Sequence, residues 1–336
     1  MRDYRLRLDG ALDELWEPVW QLGVRLFPQE KELMRSATVR RLHFIRHGGA
    51  SFINSHHTYS RLQHTLGVFA LAAHFDPENR ALRAAALLHD AGHAPFSHTL
   101  EGLEGVDHHR WTRAAVCSEE IERILARSNV QPDEVMAYID GTKRSLLRNQ
   151  DGTLHADHLD SYVRSAYYGG YLRVSARELL SGMTFSDDSL QFSSEMGRTV
   201  ADLIWEEARM HGSPANIGIN AMLRKLVRRL FDEGKLTAAS LPAMQDAHIE
   251  QLLRESASTR EEYERLLTES WRIGVARDRP AVPAETASLN KLYLSLPLVD
   301  GVSIASIIPD MQGTINELEH MLGTYYVWWM SHEDAT

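Results

Sequence analysis

The sequence predicts a mainly α fold with small β additions, and three observations carry that expectation. Apolar residues recur at helical spacing along most of the chain, alternation of period two is brief, and cap residues, prolines and glycines punctuate the periodic stretches. The 336 residues, 43% hydrophobic and 24% charged, suffice for a globular protein of one large or two modest domains with a real core.

Leu12–Leu26 is apolar at helical spacing, with Trp16 and Trp20 four apart, and reads as a helix. Val39–Ile45 alternates and reads as a short strand before the Gly48-Gly49 loop. Ser60 caps a helix through RLQHTLGVFALAAHF. Asp76-Pro77-Glu78 gives a start signal, an Asp cap with proline at the first helical position, for NRALRAAALLHDAGH, with Gly92 ending it. A helix follows Asp107 to about Leu125, and Pro132 opens a short one. Another holds HADHLDSYVRSAYY and stops at Gly169-Gly170. Met183–Phe192 is a small hairpin around Asp187-Asp188. Beyond Thr199 the pattern is helical through LIWEEARM, INAMLRKLVRRLFDEG and EEYERLLTESW; Asp278–Pro283 is a connector and Val302–Ile308 one more strand.

Composition excludes several functions. A single cysteine, Cys117, leaves no intrachain disulfide and no cysteine-based metal cluster. The longest uncharged apolar run, Leu66–Ala73, is eight residues, far below the roughly 20 of a membrane helix. The acidic residues of the N-terminal stretch do not suit a signal peptide, so the expected compartment is the cytoplasm. A net charge of −10 argues against strong nucleic-acid binding, while a few cations in one cleft still suffice for a small anion. Thirteen of the 17 histidines lie between His43 and His158, which places the chemistry in the first half.

The central feature is the adjacent pair His89-Asp90 at the end of an apolar helix. On its own such a pair is as readily a helix cap. With His64 on the preceding helix and Asp157 on a later one, two imidazoles and two carboxylates would neutralise a divalent ion and leave coordination positions open, as a catalytic site requires. That donor set suits Mn, Fe, Co, Ni, Zn or Mg alike.

These residues resemble the HD-domain metal-dependent phosphohydrolases, whose pattern is a lone His, then His-Asp, then a distant Asp. The matches are His64 in SRLQHTLGV, His89-Asp90 in AALLHDAGHAPFSHTLE and Asp157 in LHADHLDSYVRSAYYGG, and they look like the deoxynucleoside triphosphate triphosphohydrolase (dGTPase-like) branch. The likeness covers residues 39–172 well, continues weakly through WEEARMHGSPANIGINAMLRKL, and is absent from residues 1–38 and beyond 245. It implies an HD-domain catalytic core over residues 1–180, N-terminal helix included, and a mainly helical C-terminal extension over 181–336.

The resemblance makes His64, His89, Asp90 and Asp157 the ligands of one divalent metal ion, with Asp160 orienting a ligand. It implies that His98, held by Glu101, delivers a proton to the leaving oxygen, the acid raising the imidazole pKa. His109 would line the same cleft, in preference to His108. Arg61 would grip phosphate and His93 would face the phosphates or hold its loop. The implied substrate is a nucleotide, foremost a dNTP cleaved to nucleoside and triphosphate, and the implied protein is a homo-oligomer. A phosphatase or phosphodiesterase on another ester and a nucleotide-sensing module without turnover stand as alternatives. The substrate-reading positions depart from the branch: His158, Ser161, Ser165 and His211 stand where it has a basic residue, Tyr, an acid and a stacking Tyr. The basic run Arg224, Lys225, Arg228 and Arg229 reads as a solvated helix face, and Trp328-Trp329 as packing or a subunit contact.

Overall fold

A computed structural model describes residues 7–331. Its organising element is the helix Arg61–Phe75, buried on almost every side. Ser60 begins it as expected: its hydroxyl accepts from Gln63 N while the Gln63 side chain accepts from Ser60 N. The helix packs between Arg80–Leu88 and Ala156–Gly169. A Cβ at Gly67 would lie 1.9 Å from Asp160 Oδ1 and 2.3 Å from Arg164 Nη2, so the missing side chain is what lets the helix Ala156–Gly169 come this close. Gly170 ends that helix in the left-handed conformation, φ 74°.

Several elements differ from the sequence reading. Leu12–Leu26 is a hairpin, Glu14–Glu17 paired antiparallel with Leu22–Arg25, turning at Gln21 with φ 55°. Trp16 and Trp20 mimic a helical period, but Glu17 Oε2 accepts Trp20 N at 2.6 Å and closes a turn instead. Val39–Ile45 is helical: Ser36 caps Ala37–Arg41 through a bond from Val39 N, and a 3-10 turn, Leu42–Phe44, follows. Asn79, not Asp76, caps the next helix, which runs Arg80–Leu88 and stops before Gly92. The stretch after Asp107 is two helices, His108–Val116 and Glu119–Ala126, broken at Cys117-Ser118.

The hairpin Met183–Ser186/Ser189–Phe192 forms as read, with Asp187 and Asp188 both at positive φ. Only Val302–Ser303 of the expected later strand is extended. Helices Ser194–His211 and Pro214–Asp232 lead into the C-terminal part, which is not simply helical. Ile273–Ala276 and Glu285–Leu289 flank Gly323–Trp329 in an antiparallel sheet. Trp328 covers Gly274 there, and Trp329 Nε1 donates to Glu262 at 3.0 Å. The basic run is paired rather than merely solvated: Lys225 and Arg229 bond Glu262, and Arg224 Nε donates to Thr99 O. Two buried apolar clusters result, one around the ligand helices and one between Pro214–Asp232 and the sheet. No helix among the described residues is long and apolar enough to cross a membrane.

Candidate active site

Three helices bring the expected ligands to one point. His64 comes from the middle of Arg61–Phe75, His89 and Asp90 from the end of Arg80–Leu88, and Asp157 from the first turn of Ala156–Gly169. His64 Nε2 lies 3.3 Å from His89 Nε2, 3.2 Å from Asp157 Oδ1 and 3.6 Å from Asp90 Oδ2. His89 Nε2 lies 3.5 Å from Asp90 Oδ2 and 3.8 Å from Asp157 Oδ1. Two imidazole nitrogens facing each other this closely, ringed by carboxylate oxygens, repel unless a cation or proton lies between them. The donor set therefore fits a divalent metal ion.

The partners behind the ligands fix their aim. His64 Nδ1 bonds Asp160 Oδ2 at 2.8 Å and His89 Nδ1 bonds Ala86 O at 2.9 Å, leaving each Nε2 directed at the shared point. Asp160 is fully buried and also accepts from Trp20 Nε1 at 2.7 Å and from Arg164 Nε and Nη2, both at 2.9 Å. Arg164 Nη2 in turn bonds Glu17 Oε1 at 2.7 Å. Asp160 is thus an orienter of His64. The local field favours a cation: burial opposes a charge on His64, yet Asp157, Asp160 and Asp90 raise its pKa to about 9. Burial likewise opposes the Asp90 charge, while His89, Arg61 and His93 hold its pKa well below the usual carboxylate range.

Arg61 and His93 support Asp90 from behind. Arg61 Nη1 donates to Asp90 Oδ2 at 2.8 Å, Nε to Ser97 Oγ at 3.0 Å and Nη2 to His47 O at 3.0 Å. Arg61 touches the cleft wall but is 2% exposed, so much of its donor capacity is committed to protein. His93 is buried, with Nε2 3.3 Å from Asp90 Oδ1 and its ring against those of His98 and His108.

Beside these candidate metal donors opens a cleft of about 680 Å³. His98 sits on its wall on a 3-10 turn, Ser97–Leu100, with Nδ1 bonded to Glu101 Oε1 at 2.7 Å. The same oxygen is 2.9 Å from His108 Nδ1. His108 therefore joins the acid and stacks on His93, while His109 stands exposed at the rim against the His108 ring. Burial is the largest influence on His98 and lowers its pKa below 6.5; Glu101 pulls upward without overcoming it, and Arg61 and His108 add to the lowering. The expected rise is thus reversed. Glu101 itself stays ionised, since His108 and His98 overcome the cost of its burial.

The cleft also holds residues that the sequence reading did not place there. Arg148, Arg224 and Lys291 place further cations on its wall. His47 stacks on Tyr59 and lies against His64. Tyr293, from the stretch beyond 245, sits within ring-contact distance of His98, His158 and His211. Of the departing positions, His158 Nδ1 bonds Ser295 Oγ at 2.9 Å, and burial, Arg148 and Lys291 lower its pKa to about 4 despite Asp157. No period or motif links residues 148, 224 and 291; only the folded chain does.

Residues 61–145 match the model of the HD domain family. That stretch of the chain is thus an HD domain. The chain is 28% identical over 232 residues to the uncharacterized protein YwfO of Bacillus subtilis, covering 60% of this chain and 53% of YwfO. It is 25% identical over 263 residues to the metal-dependent phosphohydrolase cns2 of Cordyceps militaris, covering 71% of this chain and 72% of cns2. The chain spans about half the length of several of the curated relatives it matches. Its fold is similar to that of a phosphohydrolase from Bacteroides thetaiotaomicron, with a TM-score of 0.71, 17% identity, and coverage of 95% of this chain and 100% of the other.

Proposed function

We propose that the chain is a metal-dependent phosphohydrolase acting on nucleotides, foremost a dNTP triphosphohydrolase releasing nucleoside and triphosphate. The observation that carries this reading is the convergence of His64, His89, Asp90 and Asp157 beside a cleft that also presents the His98–Glu101 pair. A divalent ion held by those residues supplies Lewis acidity at a phosphoryl oxygen and an acidified water.

This chain's own side chains do the rest. Asp160 and Ala86 O keep the two imidazoles aimed, and Arg61 holds Asp90 in place. Arg148, Arg224 and Lys291 face the phosphate charge, a role the committed donors of Arg61 fill less readily. His98, whose pKa burial holds down, gains a proton when an anionic phosphate beside it raises that pKa. Water adds to the α-phosphorus and sheds a proton to solvent, the bond from phosphorus to the 5′ oxygen breaks, and His98 gives that oxygen its proton. The cleft volume suits a ligand of nucleotide size.

The test is elemental analysis of the purified protein, followed by product analysis on a dNTP panel with the metal found. Release of nucleoside and triphosphate supports the reading. Orthophosphate alone, or turnover only of monophosphates or cyclic nucleotides, moves the substrate to another ester. Tight nucleotide binding with no turnover across several metals rejects hydrolysis.

A further inference from the structure

At the end of the cleft formed by the helix Ser194–His211, the carboxylate of Glu207 is 6% exposed and lies on the cleft wall. Its Oε1 accepts from Ser165 Oγ at 3.2 Å and lies 3.2 Å from His211 Nε2. Its Oε2 is buried and has no hydrogen-bond partner. A buried carboxylate oxygen left unpaired costs more than a neutral group would, so it calls for a partner. The Ser165 hydroxyl is itself held by the Tyr59 phenol at 3.0 Å, and Tyr59 stacks under His47, whose ring lies 4.5 Å from that of His64. Glu207 is thus linked to His64 through a short chain of side chains, with one acceptor left unpaired in the wall of the cleft.

From this geometry we infer that Glu207 is a specificity-determining residue whose open oxygen accepts a hydrogen bond from a hydroxyl or N–H on the nucleoside part of the substrate. The inference rests on the nucleotide reading above and adds the residue that reads the substrate away from its phosphates. Three features support the assignment. The cations of the cleft, Arg148, Arg224 and Lys291, would repay phosphate, whereas an acid repels it, so Glu207 marks the end that phosphate avoids. The rings of Tyr293, His158 and His211 offer flat surfaces beside it, suited to a sugar or base. The anchors on Oε1 leave Oε2 as the acceptor with nothing to satisfy it inside the chain. A site built to receive a donor rejects an analogue lacking it far more strongly than a merely apolar pocket does.

Two donors share this chemistry, the 3′-hydroxyl of the sugar and an N–H of the base, and the experiment separates them. Calorimetry measures binding of dGTP, 2′,3′-dideoxy-GTP and N1-methyl-dGTP to the full chain, and turnover is measured apart. The wild type should bind dGTP about 10- to 100-fold more tightly than one of the two analogues, the worth of a charge-assisted hydrogen bond. In Glu207→Gln that ratio should collapse several-fold, and the analogue for which it does names the donor. Should Glu207→Gln not fold, Ser165→Ala, which frees one anchor of Oε1, should lower the same ratio by a smaller factor. A ratio unchanged in the variant for both analogues overturns the assignment, even if affinity falls for all three nucleotides. Binding without turnover rejects the hydrolase reading alone, and no binding of any nucleotide rejects both.

Discussion

Asp246 Oδ1 accepts the backbone N–H of Phe96 at 2.8 Å, joining positions 150 apart in sequence. Its other oxygen accepts Arg46 N at 2.9 Å. Phe96 and Ser97 both lie at positive φ, 55° and 50°, a conformation that costs a side-chain-bearing residue on the order of 1–3 kcal/mol. Ser97 Oγ donates to Arg46 O at 2.6 Å and accepts from Arg61, and His98 is the next residue. A carboxylate from the C-terminal half therefore holds the turn that aims His98.

Asp246→Ala should release that turn. Loss of a buried, charged acceptor costs about 1.5–3 kcal/mol, so the melting temperature should drop by several degrees. The turnover number should fall alongside, while metal content stays near wild type. Thermal melts and elemental analysis check both.

Asp157→Asn and Asp160→Asn should differ in kind. The first removes an anionic donor, and the protein should be purified with little metal and little activity. The second leaves the four donors in place but loosens His64 and strips Arg164 of a partner. Its metal affinity should fall about 10–100-fold and its stability by about 3–5 kcal/mol. If Asp157→Asn keeps full metal while Asp160→Asn loses it, the choice of fourth ligand is wrong.

Arg61→Ala should make stability depend more on metal. Without the guanidinium, the buried Asp90 carboxylate is compensated chiefly by the ion. The drop in melting temperature on adding a chelator should therefore be larger in the variant than in the wild type. An equal drop in both would show that Arg61 does not support Asp90.

His98→Ala should lose about 10²–10⁴-fold in turnover with metal content unchanged. The pH dependence follows from the lowered pKa of His98 in the free protein. The protonated fraction shrinks as pH rises through that pKa, so kcat/KM should fall with rising pH already below the ordinary histidine range. Bound phosphate raises the pKa, so kcat should hold to higher pH. Both trends should vanish in His98→Gln. A kcat/KM that rises across this range instead assigns His98 to accepting a proton rather than donating one.

What was legible in the sequence was local or repeated. Ser60, Pro132, Gly169-Gly170 and Asp187-Asp188 act on their own neighbours, and each marks its element correctly. The candidate metal donors stood out because a dipeptide and two flanking motifs carry them. The hairpin at Glu14–Arg25 was hidden because Trp20 answers to a distant partner, Asp160, 140 positions away. Glu207, Asp246 and Tyr293 belong to no local pattern either. Glu207 comes from the helix Ser194–His211 and Tyr293 from the segment after Glu285–Leu289, both on the cleft wall. Asp246 starts the helix Asp246–Glu255 and reaches the turn at Phe96. No spacing rule foretells these meetings.

The keel behind His64 has a consequence for what can be moved. The stretch recognised as an HD domain, residues 61–145, contains His64, His89 and Asp90 but neither Asp157 nor the Asp160–Arg164–Glu17–Trp20 assembly. Excised or grafted onto another scaffold, it would carry three donors and leave behind the fourth together with the brace that aims the first. The hairpin at Glu14–Arg25, remote from any recognisable motif, is thus as much a part of the inherited machine as the dipeptide that names it. Recombination that shuffled the central segment alone would deliver an inert cassette.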